Sequence, residues 1–297
     1  MNITYNEFTV LTTIEKEKTK LSQRKISELT NLSLGTINKI ITDLYNNKAI
    51  DEENKITETG LKLLEPYRVK RAIFLAAGFG SRMVPITLNT PKPLVLVHGK
   101  RLIDTLLEAC IEAEIEDIVI VTGYLSDQFE ILTKKYPQIK FVKNEIYNEA
   151  NNISSAYLVR DLFSNAYVLE SDLYLYNKNL IRKYEYKSNF LGKKVDMTDD
   201  WCFEVKNGII TKQKQGGYDC YQMYGISYYS SEYQEQISKD LEKVFNSPGG
   251  KEKYWEQVIL DVCKNNYKIY LRECQEGDII EIDTFNELKQ IDKTYDV

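Results

Sequence analysis

Histidine and cysteine are scarce in this sequence of 297 residues, and their scarcity excludes several kinds of site. His98 is the only histidine, so no mechanism can use a pair of histidines, and a histidine-rich metal site is excluded. The five cysteines are odd in number and widely scattered, and none of them forms a CxxC pair. This pattern indicates neither a disulfide framework nor a zinc site. We interpret the cysteines as reduced structural thiols.

Long apolar runs and an excess of positive charge are also missing. No apolar stretch approaches the roughly 20 residues that a membrane-spanning helix requires, and the first residues lack the basic and apolar regions of a signal peptide. We therefore expect a cytoplasmic protein without a membrane partner. The net charge of −5 gives no reason to expect general affinity for nucleic acid. The length allows two domains, each with its own core.

The first 68 residues have the pattern of a small helical module. Apolar residues recur at helical spacing in 6–16, 23–30 and 34–46, and Ser22 and Ser33 stand where helix N-caps are expected. Two short helices joined by a tight turn form a helix-turn-helix pattern, and residues 48–57 predict the two strands of a wing. The segment resembles the winged-helix domains of small bacterial regulators. We therefore predict a winged-helix domain over 1–68 and a second domain over 69–297.

This module leaves two functions open. The helix at 34–46 could bind DNA, or the module could serve only for docking or for formation of a homodimer. Residues 1–68 hold ten Lys plus Arg and ten Asp plus Glu, so their net charge is zero. Phosphate contacts supply much of the affinity for DNA and need positive charge. The neutral module therefore argues against strong DNA binding.

A glycine-containing stretch at 72–94 predicts a phosphate-binding loop. A short apolar run, typical of a buried strand, leads into Gly78 and Gly80, and Ser81 and Arg82 follow directly. Glycines allow the backbone N–H groups to come close to an anion. Arg82 and Lys92 add full positive charges that suit phosphate oxygens.

Strands and helices alternate after this loop. Helices are predicted over 102–114, 126–136 and 153–162, and strands over 117–123, 140–143 and 166–172. Such alternation indicates an α/β sandwich with a largely parallel sheet, and ligands bind such sheets beyond the carboxyl ends of their strands. The phosphate loop, Thr122, Gly123 and Asp172 all follow predicted strands. We expect them to meet in one crevice.

The motifs resemble those of a known family. Leu75-Ala-Ala-Gly-Phe-Gly-Ser-Arg82 and Pro91-Lys-Pro-Leu94 resemble the signature of the nucleotidyltransferases that make nucleoside-diphosphate sugars and alcohols. Residues 144–147, 151–152, 155–157, 170–174, 200–201, 254–255 and 281–283 are similar to motifs of the LicC-type phosphocholine cytidylyltransferases. The resemblance covers roughly residues 70–290. It implies a three-layer α/β/α Rossmann-like domain with a mostly parallel mixed sheet.

The resemblance also implies a reaction, in which CTP and phosphocholine give CDP-choline and pyrophosphate. A phosphomonoester oxygen is already anionic, so attack on the α-phosphorus needs no general base, and positioning with charge stabilisation carries the catalysis. The resemblance implies that Asp172 and Asp283 share Mg²⁺, the one expected cofactor. We expect Lys92 at the α-phosphate and Arg82 at the β- and γ-phosphates. Asp283 has acidic neighbours, Glu281 among them, that could replace it in this assignment.

Two further groups of candidate residues follow. The predicted nucleotide-binding residues are Leu75, Ala76, Ala77, Gly78, Gly80, Ser81, Arg82, Thr122, Gly123, Tyr124, Asn152 and Ser154. A quaternary ammonium is held by aromatic ring faces and nearby carboxylates, and the predicted choline-binding residues are Asp200, Trp201, Tyr224, Trp255 and Glu281. The alternative for the aromatic members of this second group is that they fill the core, as most aromatic residues do.

Two rival functions remain open at this point. A primary amine, either 2-aminoethylphosphonate or phosphoethanolamine, could replace phosphocholine as the acceptor. The chain could instead be a ligand-sensing regulator that binds DNA and carries a degenerate transferase domain. The joint presence of Arg82, Lys92, Asp172 and Asp283 argues against degeneracy.

Overall fold

The computed structural model describes residues 3–296 and divides into two compact units. The first unit runs to Arg68 and includes Tyr184–Tyr186, and the second comprises Val69–Lys183 and the chain from Lys187 onward. The sequence pattern did not assign the three residues Tyr184–Tyr186 to the first unit. They are separated from it by more than one hundred residues, and a three-residue segment is too short for a periodicity to reveal.

Four helices form the first unit: α1 (Tyr5–Glu17), α2 (Gln23–Thr30), α3 (Leu34–Asn46) and α4 (Glu58–Leu64). Ser22 and Ser33 cap α2 and α3, because each hydroxyl accepts a hydrogen bond from the backbone N–H three residues later. The apolar faces of the helices meet in one core that contains Leu11, Ile26 and Ile37. The helix-turn-helix arrangement predicted from the sequence is therefore present.

The wing of this unit is smaller than the sequence pattern predicted. Residues 48–57 form no strands, and one antiparallel bridge joins Ile50 to Ile56. Asp51 caps this short turn, since its Oδ1 accepts from the backbone N–H groups of Glu53 and Lys55.

The second unit contains a seven-stranded sheet. Its strands are β1 (Arg71–Ala76), β4 (Asp117–Thr122), β5 (Lys140–Lys143), β6 (Ala166–Glu170), β8 (Asn189–Lys206), β9 (Ile209–Tyr229) and β10 (Tyr270–Cys274). Their order across the sheet is β10-β8-β9-β6-β1-β4-β5. β1 pairs in parallel with β4 and β6, whereas β9 runs antiparallel to β6 and β8. The sheet is therefore mixed and mostly parallel in its central part.

Helices cover both faces of this sheet, with α5 (Leu102–Glu112) on one face and α6 (Ile153–Leu158), α7 (Gln234–Phe245) and α8 (Trp255–Gln257) on the other. A further helix, α9 (Phe285–Ile291), packs in a separate apolar cluster with Met83 and Val97. Successive β1 side chains enter opposite cores, since Phe74 packs with Leu106 of α5 and Ile73 packs in the core that holds α6 and α7 residues. Two small antiparallel pairs, β2 (Leu96–Val97) with β3 (Lys100–Arg101) and β7 (Leu173–Leu175) with β11 (Ile279–Glu281), complete the unit.

Two predicted helices differ from the structure. Residues 126–136 were expected to form an α-helix, but Ser126–Lys134 is a 3₁₀ helix. The helix predicted over 153–162 ends at Leu158, and a separate 3₁₀ turn follows at Arg160–Leu162. Both segments are short and packed against the sheet, where tertiary contacts outweigh helical propensity. Among residues 3–296, no helix combines the length and the apolar character that a bilayer crossing requires.

The hydrogen-bonded register of β8 and β9 is irregular. Thr198 pairs with Gly217 and Trp201 with Gln215, so β8 contains one residue more than β9 between these pairs. An extra residue of this kind is a β-bulge, which bends a strand and redirects its side chains. Asp200 and Trp201 lie in the bulged segment, and its position matters for the site described below.

The ring of Tyr186 generates a stability prediction for the first unit. It packs against the rings of Tyr5, Phe8 and Tyr67 at centroid distances of 5.1–5.3 Å, and its hydroxyl donates to the Ile3 carbonyl oxygen. We expect Tyr186→Ala to lower the free energy of unfolding of this unit by about 2 kcal/mol, because it removes a half-buried ring that contacts three other rings. Hydrogen exchange of residues 3–68 measures this. Tyr218→Ala is the control, since Tyr218 is 78% exposed; unchanged protection in Tyr186→Ala would contradict the assignment.

Glu108 on α5 generates a second stability prediction. Its carboxylate lies 2.6 Å from Lys100 Nζ and 2.8 Å from Lys135 Nζ. Burial opposes the charge, but the lysines outweigh it and lower the pKa of Glu108 to about 2. The charged Glu108 carboxylate therefore contributes fully to folding stability above its ordinary pKa of 4.5, and this contribution is lost as the pH falls toward 2.

We expect Glu108→Gln to lower the free energy of unfolding by about 1 kcal/mol at pH 7. The difference from wild type should shrink below pH 3, where the wild-type carboxylate begins to protonate. Urea unfolding at both pH values measures it, with the exposed Glu130→Gln as control. An equal difference at both pH values would show that Glu108 does not act through its charge.

Candidate active site

The ends of neighbouring parallel strands open into one cavity of about 610 Å³. β1 supplies Leu75 and Ala76 at its carboxyl end, and β6 supplies Glu170, with Ser171 and Asp172 directly after it. The Ser171 hydroxyl donates to the Leu75 carbonyl oxygen at 3.0 Å and ties the two strand ends together. The cavity therefore lies where a parallel sheet is expected to bind its ligand.

Fifteen of the residues predicted from the sequence line this cavity. They are Leu75, Ala76, Ala77, Gly78, Gly80, Ser81, Arg82, Lys92, Asn152, Ser154, Asp172, Asp200, Trp201, Glu281 and Asp283. Their positions in the chain span more than two hundred residues.

The loop after β1 is shaped by Gly80. This residue has a left-handed backbone with φ of 68°, and a Cβ atom added to it would lie 3.1 Å from Lys92 Cβ. The Thr87 hydroxyl donates to the Gly80 carbonyl oxygen at 2.9 Å and fixes the loop from behind. Glycine is needed here for its backbone conformation and for the close approach of Lys92.

Lys92 is buried and holds two carboxylates together. Its Nζ lies 2.9 Å from Asp172 Oδ2 and 2.9 Å from Asp283 Oδ1. Burial opposes the charge on the ammonium, but the two aspartates outweigh this effect and raise the pKa of Lys92 above its ordinary value. Arg82 Nη2 contacts the same Asp283 oxygen at 2.7 Å, although the Arg82 side chain is 66% exposed.

A small pair of strands brings Asp283 to this place. β11 pairs antiparallel with β7, so that Glu281 lies opposite Leu173. The Ile282 backbone N–H then donates to the Asp172 carbonyl oxygen at 3.2 Å. Asp172 and Asp283 are 111 positions apart in the chain, and this pairing lets both of them contact the Lys92 ammonium.

Acidic side chains outnumber basic ones in the cavity. Lys92 and Arg82 are its only cations among the described residues, and its carboxylates are Glu170, Asp172, Asp200, Glu256, Glu281 and Asp283. Burial, reinforced by the neighbouring carboxylates, raises the pKa of Glu170 and of Glu281 well above the ordinary value. Burial also raises the pKa of Glu256 to about 7. A surplus of buried negative charge is unfavourable without a cation, so the cavity is suited to cationic ligands.

The donor set fits a divalent metal ion. Single oxygen atoms of Glu170, Asp172 and Glu281 lie within 4.8 Å of one another, and Asp172 Oδ1 is buried with no hydrogen-bond partner in the described part of the chain. Carboxylate oxygens are the ligands that Mg²⁺ prefers. Of the predicted metal pair, Asp172 belongs to this group, whereas Asp283 faces it across the Lys92 ammonium.

Buried polar residues support the cavity beside the loop. The Asn144 amide donates to the hydroxyls of Ser154 and Ser155 at 2.9 and 3.0 Å, and Asn144 Oδ1 accepts from the Ile146 N–H. Asn152 Oδ1 accepts from the Trp255 N–H at 2.9 Å and so fixes the start of α8. The amides therefore hold the walls of the cavity in position.

The bulge in β8 directs Asp200 and Trp201 into the same cavity. The Trp201 backbone N–H donates to Asp200 Oδ1 at 2.7 Å, and the Trp201 ring meets Tyr254 edge-on at a centroid distance of 5.9 Å. Trp201, Tyr254 and Tyr147 are the aromatic residues among its lining side chains. This end of the cavity thus combines ring faces with carboxylates.

Two of the predicted choline-binding residues lie elsewhere. Trp255 is 2% exposed and packs against Phe163, Phe190 and Tyr229 in the core. It therefore does not face a ligand, and the prediction for it was wrong. The short helix α8 turns Trp255 inward and leaves its neighbours at 254 and 256 on the cavity wall.

Tyr224 is also buried, and it lines a smaller, adjoining cavity of about 190 Å³ that shares Asp200, Glu281 and Asp283 with the main cavity. The Lys193 ammonium lies 6.0 Å from the centre of its ring, and Lys193 forms a salt bridge with Glu276 at 2.8 Å. The cation that faces Tyr224 in this structure therefore belongs to the protein. Its position corrects the assignment of Tyr224 to the main cavity.

Three of the predicted nucleotide-binding residues lie behind the loop and do not line the cavity. Thr122 is buried and accepts the Asn144 N–H through its carbonyl oxygen. Gly123 allows close packing, because an added Cβ would lie 2.8 Å from the Ala77 carbonyl oxygen. The Tyr124 hydroxyl donates to the Thr87 carbonyl oxygen at 2.9 Å. These residues support the phosphate loop from the outside.

The sequence reasoning missed Glu170 and Glu256 as lining residues. Glu170 lies two positions before Asp172 at the end of a strand, and side chains two apart share one face of a strand. That spacing was a usable signal. Glu256 gave no such signal, because the sequence of a three-residue helix does not indicate which of its side chains face the cavity.

Two family models match the chain. The model "Nucleotidyl transferase" matches residues 71–205, and the model "wHTH-PRTase associated" matches residues 8–77. The second match lies mostly in the helical unit and overlaps the first at residues 71–77, in the α/β unit.

Bacterial cytidylyltransferases are similar over most of the second unit. The 2-aminoethylphosphonate cytidylyltransferase of Lancefieldella rimae is 34% identical over 229 residues, which is 75% of this chain and 92% of that protein. The choline-phosphate cytidylyltransferase of Streptococcus pneumoniae is 34% identical over 230 residues, which is 75% of this chain and 97% of that protein.

A solved structure agrees with these matches. The CTP:phosphocholine cytidylyltransferase from Streptococcus pneumoniae (LicC) superposes with a TM-score of 0.71 at 31% identity, covering 76% of this chain and 99% of that one. The inositol-1-phosphate CTP transferase from T. maritima shares the fold with a TM-score of 0.61 at 16% identity. Together with the phosphate loop, the buried lysine and the acidic cavity, these matches show that the chain belongs to the nucleotidyltransferase family and, within it, to the LicC-type cytidylyltransferases.

Proposed function

We propose that this protein makes CDP-choline and pyrophosphate from CTP and phosphocholine. The surplus of carboxylates over cations in the cavity supports a cationic acceptor most directly. The rings of Trp201, Tyr147 and Tyr254 offer faces to a quaternary ammonium, which has no N–H group to donate. The similarity to choline-phosphate cytidylyltransferases supports the same acceptor.

The reaction is a displacement at the α-phosphorus of CTP. A phosphocholine oxygen forms the new P–O bond, and the bond from the α-phosphorus to the bridging oxygen breaks, so that pyrophosphate leaves with the electron pair. The attacking oxygen is already anionic and needs no base. The barrier is the approach of two anions, which makes correctly placed positive charge the main contribution of the protein.

Lys92 is the residue that supplies this charge at the α-phosphate. Its raised pKa keeps it protonated, and its two aspartates fix the ammonium before substrate binds. Such fixed charge costs no reorganisation during the reaction. Arg82 is exposed and shares Asp283 with Lys92, so its long side chain can leave that carboxylate to bind the β- and γ-phosphates.

We further propose that Glu170, Asp172 and Glu281, with Asp283 beside them, hold Mg²⁺. The ion would neutralise phosphate charge and orient the triphosphate. The protein's own part is to gather the carboxylates, which the pairing of β7 with β11 achieves.

A second acceptor, 2-aminoethylphosphonate, is favoured by a specific observation. Glu256 Oε2 is a buried acceptor without a donor in the described part of the chain, and it lies outside the group of carboxylates proposed to hold the metal. A primary ammonium donates N–H groups that could satisfy such an atom, whereas a trimethylammonium cannot. The similarity to the 2-aminoethylphosphonate cytidylyltransferase points the same way.

Turnover with competing acceptors tests the proposed function. We expect kcat/KM with CTP to be at least about tenfold higher for phosphocholine than for 2-aminoethylphosphonate or phosphoethanolamine, because ring faces hold a methylated cation that has no N–H group to donate. Pyrophosphate release measures the rate, and glucose 1-phosphate serves as the control acceptor without a cationic group. A preference for either primary amine would reject phosphocholine and support the second acceptor.

Lys92→Met tests the role of the buried lysine. Methionine keeps most of the buried stem and removes the charge, so kcat should fall about 10²–10³-fold, the usual effect of removing one fixed electrostatic group. Lys134→Met is the control, because Lys134 is exposed on the surface. If the Lys92 variant is folded by circular dichroism and retains kcat within about threefold, the assignment of Lys92 is wrong.

A further inference from the structure

Tyr124 and Gln128 follow β4 in the chain and hold the phosphate loop from its outer side. The Tyr124 backbone N–H donates to the Ala77 carbonyl oxygen at 3.0 Å, where the loop begins. The Tyr124 hydroxyl reaches the far end of the loop and contacts the Leu88 carbonyl oxygen at 3.1 Å. The Gln128 side-chain amide donates to the Asn89 carbonyl oxygen at 2.9 Å. We call Tyr124 and Gln128 together the loop clasp.

Thr87 transmits this restraint to the glycine turn of the loop. The Tyr124 hydroxyl donates to the Thr87 carbonyl oxygen at 2.9 Å, and the Thr87 hydroxyl donates to the Gly80 carbonyl oxygen at 2.9 Å. Thr87 is fully buried, so water does not compete for its hydroxyl. The loop clasp therefore restrains one peptide group at each end of the turn, those that begin at Ala77 and at Gly80.

The restrained carbonyl groups determine where the next N–H groups point. In a planar trans peptide the C=O and the following N–H point in opposite directions. Because the carbonyl oxygens of Ala77 and Gly80 face donors on the outer side, the N–H groups of Gly78 and Ser81 point to the other side of the loop. Both residues line the main cavity, and no backbone hydrogen bond in the described part of the chain uses either N–H. Aligned N–H groups without partners form a concavity that binds anions.

Phe79 adds a contact between the turn and the loop clasp. Its ring meets the Tyr124 ring edge-on at a centroid distance of 4.6 Å. Phe79 is 37% exposed, and it is not among the residues 3–296 that line the main cavity. It lies between Gly78 and Gly80, whose backbones are the least restricted in the loop. The most flexible part of the loop is thus the part that rests on Tyr124.

We propose that Tyr124 and Gln128 are positioning residues that set the affinity of this enzyme for the β- and γ-phosphates of its nucleotide. The loop clasp keeps the N–H groups of the turn aligned, so the triphosphate does not have to order the loop when it binds. The inference rests on the proposed function, because it takes CTP as the ligand of the loop, but it does not depend on the acceptor. It also changes the sequence-based assignment of Tyr124, which acts on the nucleotide through the loop and not by contact.

A comparison of CTP with CMP tests the inference. Isothermal titration calorimetry of the full chain, with Mg²⁺ and without acceptor, gives the Kd of each nucleotide, and their ratio measures what the β- and γ-phosphates add. Tyr124→Phe keeps the ring and removes the hydroxyl. We expect it to raise the Kd for CTP about tenfold, because a smaller fraction of the molecules then has the loop in its binding shape. The Kd for CMP should stay unchanged.

The kinetic constants provide a second readout. We expect Tyr124→Phe to raise the KM for CTP and to leave kcat and the KM for the acceptor within about twofold of wild type. The reason is that Lys92 is fixed by Asp172 and Asp283 and not by the loop clasp. Gln128→Met removes one clasp hydrogen bond at an exposed position. It should change the same constants in the same direction, and it decides the test if Tyr124→Phe does not fold.

Tyr295→Phe is the matched control. It removes a hydrogen bond of the same kind, since the Tyr295 hydroxyl donates to the Leu96 carbonyl oxygen at 2.8 Å, and Leu96 belongs to β2, beyond the loop. We expect it to keep the wild-type Kd for both nucleotides. If Tyr124 had only a structural role, Tyr124→Phe would lower the melting temperature without changing the ratio of the two Kd values.

Three results overturn the inference in different ways. Equal weakening of CTP and CMP in Tyr124→Phe means that Tyr124 contacts the nucleotide directly, as the sequence predicted. An unchanged Kd for both nucleotides means that the loop keeps its shape without the clasp, and the proposed function stays intact. Failure of the wild-type chain to bind CTP rejects the proposed function itself, and this inference is then rejected with it.

Discussion

The ammonium of Lys92, held between Asp172 and Asp283, is the interaction on which the rest of the site depends. Three separate parts of the fold must meet for it to form: the loop after β1, the end of β6 and the strand β11. Gly80 allows the loop to pack against the lysine stem, and the β7–β11 pair carries Asp283 across. A buried pair of this kind is weak evidence for stability, because desolvation offsets much of the attraction. On the proposed function, its value is that it fixes a positive charge where the phosphates of CTP would lie.

The excess of carboxylates over cations in the cavity also needs an electrostatic explanation. A site that binds a triphosphate would be expected to carry mostly cations, yet Lys92 and Arg82 face six carboxylates. On the proposed function, some of that negative charge suits a divalent ion, which would bind together with the nucleotide. The remaining carboxylates at 200 and 256 would then face the cationic group of the acceptor. The proposed function thus divides the cavity into a half for phosphates and a half for the cation of the acceptor.

The sequence placed the residues of the loop after β1 in the cavity better than it placed the aromatic residues, and the reason is physical. Leu75 to Arg82 and Lys92 lie on one continuous loop after a buried strand, so local pattern and chain order were enough. Tyr224 was assigned by its aromatic chemistry, and Trp255 by its chemistry and by its place in a motif that resembles the family. The structure puts Trp255 in the core and Tyr224 in a second cavity. Their direction is set by a three-residue helix and by the irregular register of β8 with β9, which no periodicity encodes. Tyr184–Tyr186 joined the helical unit for a similar reason, since tertiary packing recruits them from a distant segment.

This division of the cavity bears on how related enzymes can differ in acceptor. Relatives named for choline phosphate and for 2-aminoethylphosphonate are equally identical to this chain, at 34%, so overall identity cannot separate the two acceptors. Both need the same handling of CTP, which the strand ends and the loop supply from within the sheet. The acceptor end is built from a bulged hairpin and a short helix, elements that can change without disturbing the sheet. Selectivity must therefore be sought in the few side chains that these elements carry, with Glu256, Asp200 and Trp201 first among them.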